Sequence, residues 1–401
     1  MNKKRFSLLL VILVACCAAV PAKVDFAPYY NYQFAEGVSI SPSGDLGFLV
    51  NLSNDIGLIL KPFKGHSLIS FYSVKYQGPG LKRQEGREFS ERYLDHIFVG
   101  RHHWEMFGGI TLKSQFDVLL EGRRSGSNEN WENGLYNFNR YGGSSSLNKM
   151  LGEIDFTGTF KYHYMVFPNY TDMLAEIRSG ADPSASEGKQ NHHIINIGGK
   201  VVYENNSAQL FVMEQLYTKQ KVAVDEVQDD GTYYSSKKQK DMTISLEGSR
   251  EQAISDSSII NPGFTFTLKD SNQNYQHFAE ATSTAPVSFH SDYNDYMDIS
   301  VGTPFTLGLS KKWAFLLSPE ISYKTYSKRE PRDIDGNFID GKKQARTLTI
   351  VTVGFKNQIG ESSSSMLFFT LQNQSSNMKF ERYLPYNYSG YSVGFKFQME
   401  Y

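Results

Sequence analysis

The sequence predicts an all-β fold: a transmembrane, antiparallel, up-and-down β-barrel of about sixteen strands, with fourteen as the alternative. Three observations predict it. The final eleven residues alternate without a break, several earlier segments alternate in the same way, and the stretches between segments are long and short by turns. In the final segment Tyr391, Val393, Phe395, Phe397, Met399 and Tyr401 take one parity, and Ser392, Gly394, Lys396, Gln398 and Glu400 the other. Successive side chains of a strand point to opposite faces, so this segment has one wholly apolar face. A tilted strand of about 9–11 residues is long enough to cross a bilayer.

The other segments follow in chain order. Val24, Phe26, Tyr30, Tyr32 and Phe34 share a face, and Leu46, Phe48, Val50, Leu52, Ile56, Leu58 and Leu60 keep one parity. Ile110, Leu112, Phe116, Val118 and Leu120 oppose Thr111, Lys113, Gln115, Asp117 and Glu121. Ile154, Phe156, Phe160, Tyr162, Tyr164 and Val166 oppose Asp155, Thr157, Thr159, Lys161 and His163. Met297, Ile299, Val301, Phe305, Leu307 and Leu309 oppose Asp298, Ser300, Gly302, Thr306 and Ser310, and Trp313, Phe315, Leu317, Ile321 and Tyr323 oppose Ser318, Glu320, Ser322 and Lys324. Residues 208–221 alternate poorly, with Glu214 on a candidate lipid face. The sixteen expected strands begin near residues 23, 45, 67, 92, 110, 152, 170, 193, 208, 240, 258, 296, 313, 344, 366 and 388. The long connections are then 78–91, 122–151, 179–192, 222–239, 271–295, 328–343 and 374–387. Short ones include Pro168-Asn169, Asn205-Asn206 and Ser310-Lys311-Lys312. A membrane barrel sorts its turns this way, short on one rim and long on the other.

Composition agrees. The chain holds 28 Phe and 25 Tyr but only 40% hydrophobic residues, and its mean hydropathy is negative. After residue 22 no apolar run reaches the length of a membrane helix. A barrel reconciles the two facts, because only half of each strand faces lipid. A secreted β-sandwich or propeller also alternates, but has no reason to sort its connections. The net charge of −1 offers no basic footprint for nucleic acid. At the start, Lys3, Lys4 and Arg5 precede an apolar run from Phe6 to Val20 and a small-residue site ending at Ala22. This is the grammar of a secretory leader cleaved after Ala22. A lipobox reading of Leu13-Val14-Ala15-Cys16, with a lipidated Cys16, is the alternative. Cleavage after Ala22 removes both cysteines, so no disulfide or thiolate metal site is expected.

The leader and the closing strand with its terminal aromatic residue resemble those of bacterial outer-membrane β-barrels of the general-porin kind. That resemblance implies the outer membrane of a diderm bacterium, with both termini periplasmic and outer-membrane lipids around the barrel. It implies that Tyr391, Val393, Phe395, Phe397, Met399 and Tyr401 form an assembly signal for the barrel-assembly machinery. It also implies passive or weakly selective passage of small hydrophilic solutes, and is compatible with a homo-oligomer. No cofactor is implied.

Two groups of residues are candidates for a pore lining. The first is the segment 122–151, which joins the fifth and sixth expected strands and carries Arg123, Arg124, Glu129, Glu132, Arg140 and Lys149. In general porins a loop at that position narrows the channel; an exposed outer loop is the plainer alternative. The second group lies on polar strand faces: Lys113, Asp117, Glu121, Lys161, Glu320, Lys324 and Lys396. Rings of charge in a pore set ion preference; solvated faces are the plainer account. A second class of function is a closed barrel acting through surface loops, an adhesin or scaffold, with 222–239 and 271–295 as its working parts. A barrel enzyme has only Asp95 and His96 to offer, and HExxH, P-loop and GxSxG patterns are absent. The histidine pairs 102–103 and 192–193 point to opposite faces of a strand, so no metal site is expected.

Overall fold

The computed structural model describes residues 25–40, 46–78, 92–124, 130–170, 188–229, 233–278, 287–381 and 386–400. The expected leader with Cys16 and Ala22, Glu129 and Tyr401 lie outside the described residues. Sixteen strands form the wall. They are β1 (Asp25–Ile40), β2 (Leu46–Lys61), β3 (His66–Gly78), β4 (Arg92–Glu105), β5 (Ile110–Arg124) and β6 (Phe138–Leu151). Next come β7 (Ile154–Val166), β8 (His192–Tyr203), β9 (Asn206–Ala223) and β10 (Tyr234–Arg250, continued by Gln252–Ser255). After them run β11 (Ser258–Ile260, then Gly263–Ser271) and β12 (Tyr296–Gly302, then Phe305–Gly308). The last are β13 (Trp313–Tyr326), β14 (Ala345–Gln358), β15 (Ser363–Ser376) and β16 (Tyr388–Glu400).

Each strand pairs antiparallel with its neighbours in sequence, and β1 pairs with β16 from Asn31↔Glu400 to Ile40↔Tyr391, which closes the barrel. Following the ladder from Gln358 leads to Asp95. From Glu105, ten residues further along the same strand, it leads to Leu348, ten residues before the start. The total stagger is twenty residues. Sixteen strands about 4.8 Å apart and tilted about 40° enclose a backbone cylinder roughly 30 Å across. That is wide enough for an aqueous interior.

The connections sort by rim. On one rim 62–65, 106–109, 152–153, 204–205, 256–257, 309–312 and 359–362 have two to four residues. On the other run 41–45, 79–91, 125–137, 167–191, 224–233, 272–295, 327–344 and 377–387. Gly152 opens the turn between β6 and β7 at φ +65°, a backbone region that glycine enters freely.

Two expected elements differ. The stretch 122–151 is not one long loop: β5 extends to Arg124 and β6 begins at Phe138. The expected strand at 170–178 lies, beyond Tyr170, outside the described residues, and β7 pairs directly with β8. With β6 added and β7 paired directly to β8, the described wall has sixteen strands.

The alternation holds around the wall, with the apolar parity outward. Phe116 and Ile197, at 61% and 60% exposure, are typical of the belt. Glu214 does face outward, and Lys240 on the next strand neutralises it at 2.8 Å. Near the short-turn rim Phe63, His66, His102 and Trp104 stack into an outward aromatic cluster. Glycines recur opposite phenylalanines: Gly57 with Phe71, Gly198 with Phe211, Gly248 with Phe264 and Gly394 with Phe368. At Gly198, Gly248 and Gly394 the ring covers the bare backbone, and at Gly57 the main chain of Ser70 and Phe71 approaches it directly. Pro262 and Pro304 interrupt β11 and β12 side by side, and Asn261 N donates to Pro304 O at 2.7 Å across the gap.

Candidate functional site

Closing a sheet with one polar parity turns that parity into an inner wall. On the β3–β7 arc of this wall the polar side chains are tied to one another. Asp117, 3% exposed, accepts from Arg140 Nη2 at 2.9 Å, Gln115 Nε2 at 3.1 Å and His163 Nε2 at 3.2 Å. Arg101 Nε donates to Gln115 Oε1 at 2.7 Å and lies 5.0 Å from the Phe71 ring centre. Phe71, Val99 and Leu119 form a small buried apolar patch beneath this network.

Among the described residues, hollows open on the inner wall at these places. One of about 690 Å3 near the long-loop rim is lined by Gln33, Asn51, Lys75, Gln77, Tyr93, Asp95, Glu121, Arg123 and Lys396, among others. A second, about 360 Å3, involves Arg101, His103, Lys113, Ser144 and Ser146. A third, about 460 Å3, has Lys200, Gln209, Glu247, Ser249 and Glu320 on its lining.

The residues singled out on polar strand faces all point inward. Lys113 and Lys396 line hollows, and Lys161 lies 5.4 Å from the Phe211 ring centre. Glu320 accepts from Ser300 Oγ at 2.8 Å, and Lys324 sits 3.3 Å from the Tyr296 ring centre. Glu121 is ion-paired with Arg123.

The residues assigned to one loop separate. Arg123 and Arg140 are on the inner wall, but as members of β5 and β6 rather than of an inserted loop. Arg124 stacks on Trp131 at 5.2 Å. Trp131 in turn stands 3.3 Å from where a Cβ of the outward-facing Gly122 would be. The described part of this connection, 130–137, therefore packs on the outer side of the rim. Asn137 holds it there, its Oδ1 accepting from Arg123 N at 2.6 Å and its Nδ2 donating to Trp131 O at 2.5 Å. Glu132 is exposed, and its main-chain oxygen accepts from Asn169 Nδ2 at 2.7 Å.

Three other long connections converge into a second core at the long-loop rim, where Gln273 Nε2 donates to the inward-facing Gln239 Oε1 at 3.1 Å and the inward-facing Gln374 Nε2 donates to Tyr386 O at 3.0 Å. Tyr275–Phe278 pairs with Val287–His290 as a small hairpin. Gln273 anchors it, its Oε1 accepting from Ala223 N at 2.9 Å and its Nε2 donating to Lys221 O at 3.0 Å. Arg332, from the next long connection, donates through Nη2 to Tyr275 Oη at 3.2 Å and His277 Nδ1 at 3.3 Å. The same guanidinium lies 4.3 Å from the Phe338 ring centre and 5.8 Å from that of Phe380. Tyr293, Pro331 and Met378 are buried there. Burial, with Arg332 beside it, holds the His277 imidazole below its ordinary value. Burial also lowers His290, partly offset by Glu330 at 3.9 Å.

Asp95 points into the lumen, whereas His96 points outward and meets Tyr72 Oη at 2.5 Å, so the two do not form a catalytic pair. Asp333 is used within its own turn, accepting from Asn337 N at 2.9 Å and Asp335 N at 3.0 Å. Among the described residues no three His, Cys, Asp or Glu side chains are grouped to hold a metal. Inner-wall members not singled out from sequence are Arg101, Gln115, His163 and Lys75. Their parity was the available signal.

No family model matches the sequence, and no curated protein does. Solved structures of similar shape include a loop-deletion form of OmpT, an outer membrane protein of Vibrio cholerae. It has 9% identity and a TM-score of 0.48, with 93% of this chain and 99% of that one covered. An anion-selective porin from Comamonas acidovorans has 10% identity and a TM-score of 0.47, with 94% and 100% covered. The siderophore receptor PirA from Pseudomonas aeruginosa has 10% identity and a TM-score of 0.39, with 95% and 81% covered.

Proposed function

We propose that the chain is an outer-membrane channel for passive or weakly selective diffusion of small hydrophilic solutes. The observation that carries this reading is the pairing of two surfaces in one closed ladder: an apolar belt outside and a charged, hollowed wall inside. Every backbone group in hydrocarbon must be paired, and a closed barrel achieves that without an edge. The short turns then face the periplasm together with both ends of the ladder, and the outward parity of β16 serves as the assembly signal. Outer-membrane lipids surround the belt. Swelling of proteoliposomes in graded neutral sugars tests the reading. Uptake that falls with solute size supports it; liposomes that stay impermeable to a pentose contradict it.

A second reading has its own observation. The loop core is packed and presents Ile334 at the tip of an ordered turn, 79% exposed. A barrel that acts as an adhesin through this surface would lose binding to cells or matrix on replacement of Ile334 by Asp. Unchanged binding would dismiss that role for the turn.

A further inference from the structure

Two neighbouring parts of the inner wall treat their polar groups differently. Around Asp117 the side chains are spent on one another. In the 690 Å3 hollow beside them Glu121 and Arg123 are paired, but six other polar groups are not. Among the described residues Gln33, Asn51 and Gln77 make no side-chain hydrogen bond, and the Lys396 ammonium has no ion pair. Lys75 stands directly opposite Asp95 on the next strand, yet no ion pair joins them. One Asp95 oxygen is enclosed with no hydrogen-bond partner. A structural network would close these contacts, because an unmet polar group costs free energy. A wall that leaves an acid, two bases and three primary amides uncommitted around one concavity is arranged for a ligand.

The chemistry of that ligand follows from the order of the groups. Along the wall Lys396 is on β16, Gln33 on β1, Asn51 on β2, Gln77 and Lys75 on β3, and Asp95 on β4. The acid and Lys396 stand at the two ends, four strands apart, with amides between. Four strand spacings are about 19 Å along the wall. A lysine side chain reaches about 6 Å into that span, and an extended tripeptide covers roughly 10 Å. A peptide with free ends places its ammonium on Asp95 and its carboxylate on Lys396 or Lys75. Its amide groups then meet side chains that both donate and accept. We propose that this hollow binds short zwitterionic peptides. The proposal rests on the reading of the lumen as a solute path and gives that path a preferred solute class.

The test is calorimetric titration of the refolded protein in detergent, which does not depend on conduction. The probes are trialanine, N-acetyl-trialanine and trialaninamide, which carry both charges, the negative one alone and the positive one alone. A charge-assisted contact contributes about 1.5–3 kcal/mol, roughly tenfold or more in Kd. Trialanine is expected to bind at least about tenfold more tightly than either capped form. Asp95→Asn should reduce its affinity to that of N-acetyl-trialanine, and the Lys75→Met, Lys396→Met double variant to that of trialaninamide. Equal binding of the three probes by the unaltered protein overturns the proposal, as does an absence of measurable binding. Binding without conductance in a bilayer would instead count against the channel reading alone.

Discussion

A lysine placed on the outer belt separates a membrane barrel from a soluble one. Ile197 on β8 faces outward near the middle of the strand, 60% exposed to whatever surrounds the barrel. Thr159 on the neighbouring strand faces inward one register position away, opposite Ser146 and Gly198. If the surroundings are hydrocarbon, Ile197→Lys costs about 2–4 kcal/mol at mid-belt. That is roughly a 30- to 800-fold fall in the folded-to-unfolded ratio. Thr159→Lys adds a charge to the inner wall near Lys161 and the Phe211 ring, and should stay within about 1 kcal/mol. In water the order would reverse, because Ile197→Lys would remove exposed apolar surface. The assay is urea unfolding of protein refolded into phosphatidylcholine vesicles, followed by tryptophan fluorescence. At a slope near 3 kcal/mol per molar, the Ile197→Lys midpoint should fall by about 1 M and the Thr159→Lys midpoint by much less. Equal shifts, or a gain at Ile197, would refute the assignment of the outward face to lipid.

Three further outcomes follow from particular contacts. Asp117→Ala strips Arg140, His163 and Gln115 of their shared acceptor. It should lower stability by about 1–3 kcal/mol in the same urea assay and move the reversal potential toward anions. Gly57→Ala puts a Cβ 2.2 Å from Ser70 O and should cost about 1–3 kcal/mol in that assay, whereas Gly199→Ala meets nothing within 4 Å and should be near neutral. The loop core should loosen in acid. His277 and His290 are held below their ordinary value, so the loosened state binds protons more readily. Stability is therefore complete above about pH 6.5 and is lost as pH falls through that range toward the lowered folded values. Hydrogen exchange over 275–278 and 331–339 should quicken between pH 7.5 and 5, and a His277→Gln, His290→Gln variant should show no such change beyond the intrinsic pH effect on exchange.

Much of the wall was legible because a strand with one face in lipid must alternate. The ends of β5, β7, β13 and β16 carry that signature in full. β6 does not, and the reason is local. Its outward face alternates Tyr141, Leu147 and Leu151 with Gly143, Ser145 and Lys149, and Phe116 is paired across from Gly143 and Phe160 across from Ser145. The neighbours supply the apolar surface at Gly143 and Ser145, so the strand's own apolar parity is broken in its middle and is hard to read. The strand near 208 is expected from the sequence, but Glu214 obscures its register for a related reason, since its partner Lys240 is on another strand. The inner wall was readable as a face, through Lys113, Asp117, Glu121, Lys161, Glu320, Lys324 and Lys396. Who pairs with whom was not, because Asp117, Arg140 and His163 meet only through strand register. The loop core was the least accessible. His277, Arg332 and Phe380 come from three connections, and no local pattern joins them.

The central claim is a water-filled path through this barrel. The most direct measurement is single-channel current through the refolded protein in a planar bilayer, with the reversal potential read under a salt gradient. Stable open steps are the predicted result, with a reversal potential that moves when Asp117 or Lys396 is neutralised. Stable insertion that carries no current would contradict the claim and leave the loop surface as the part that acts.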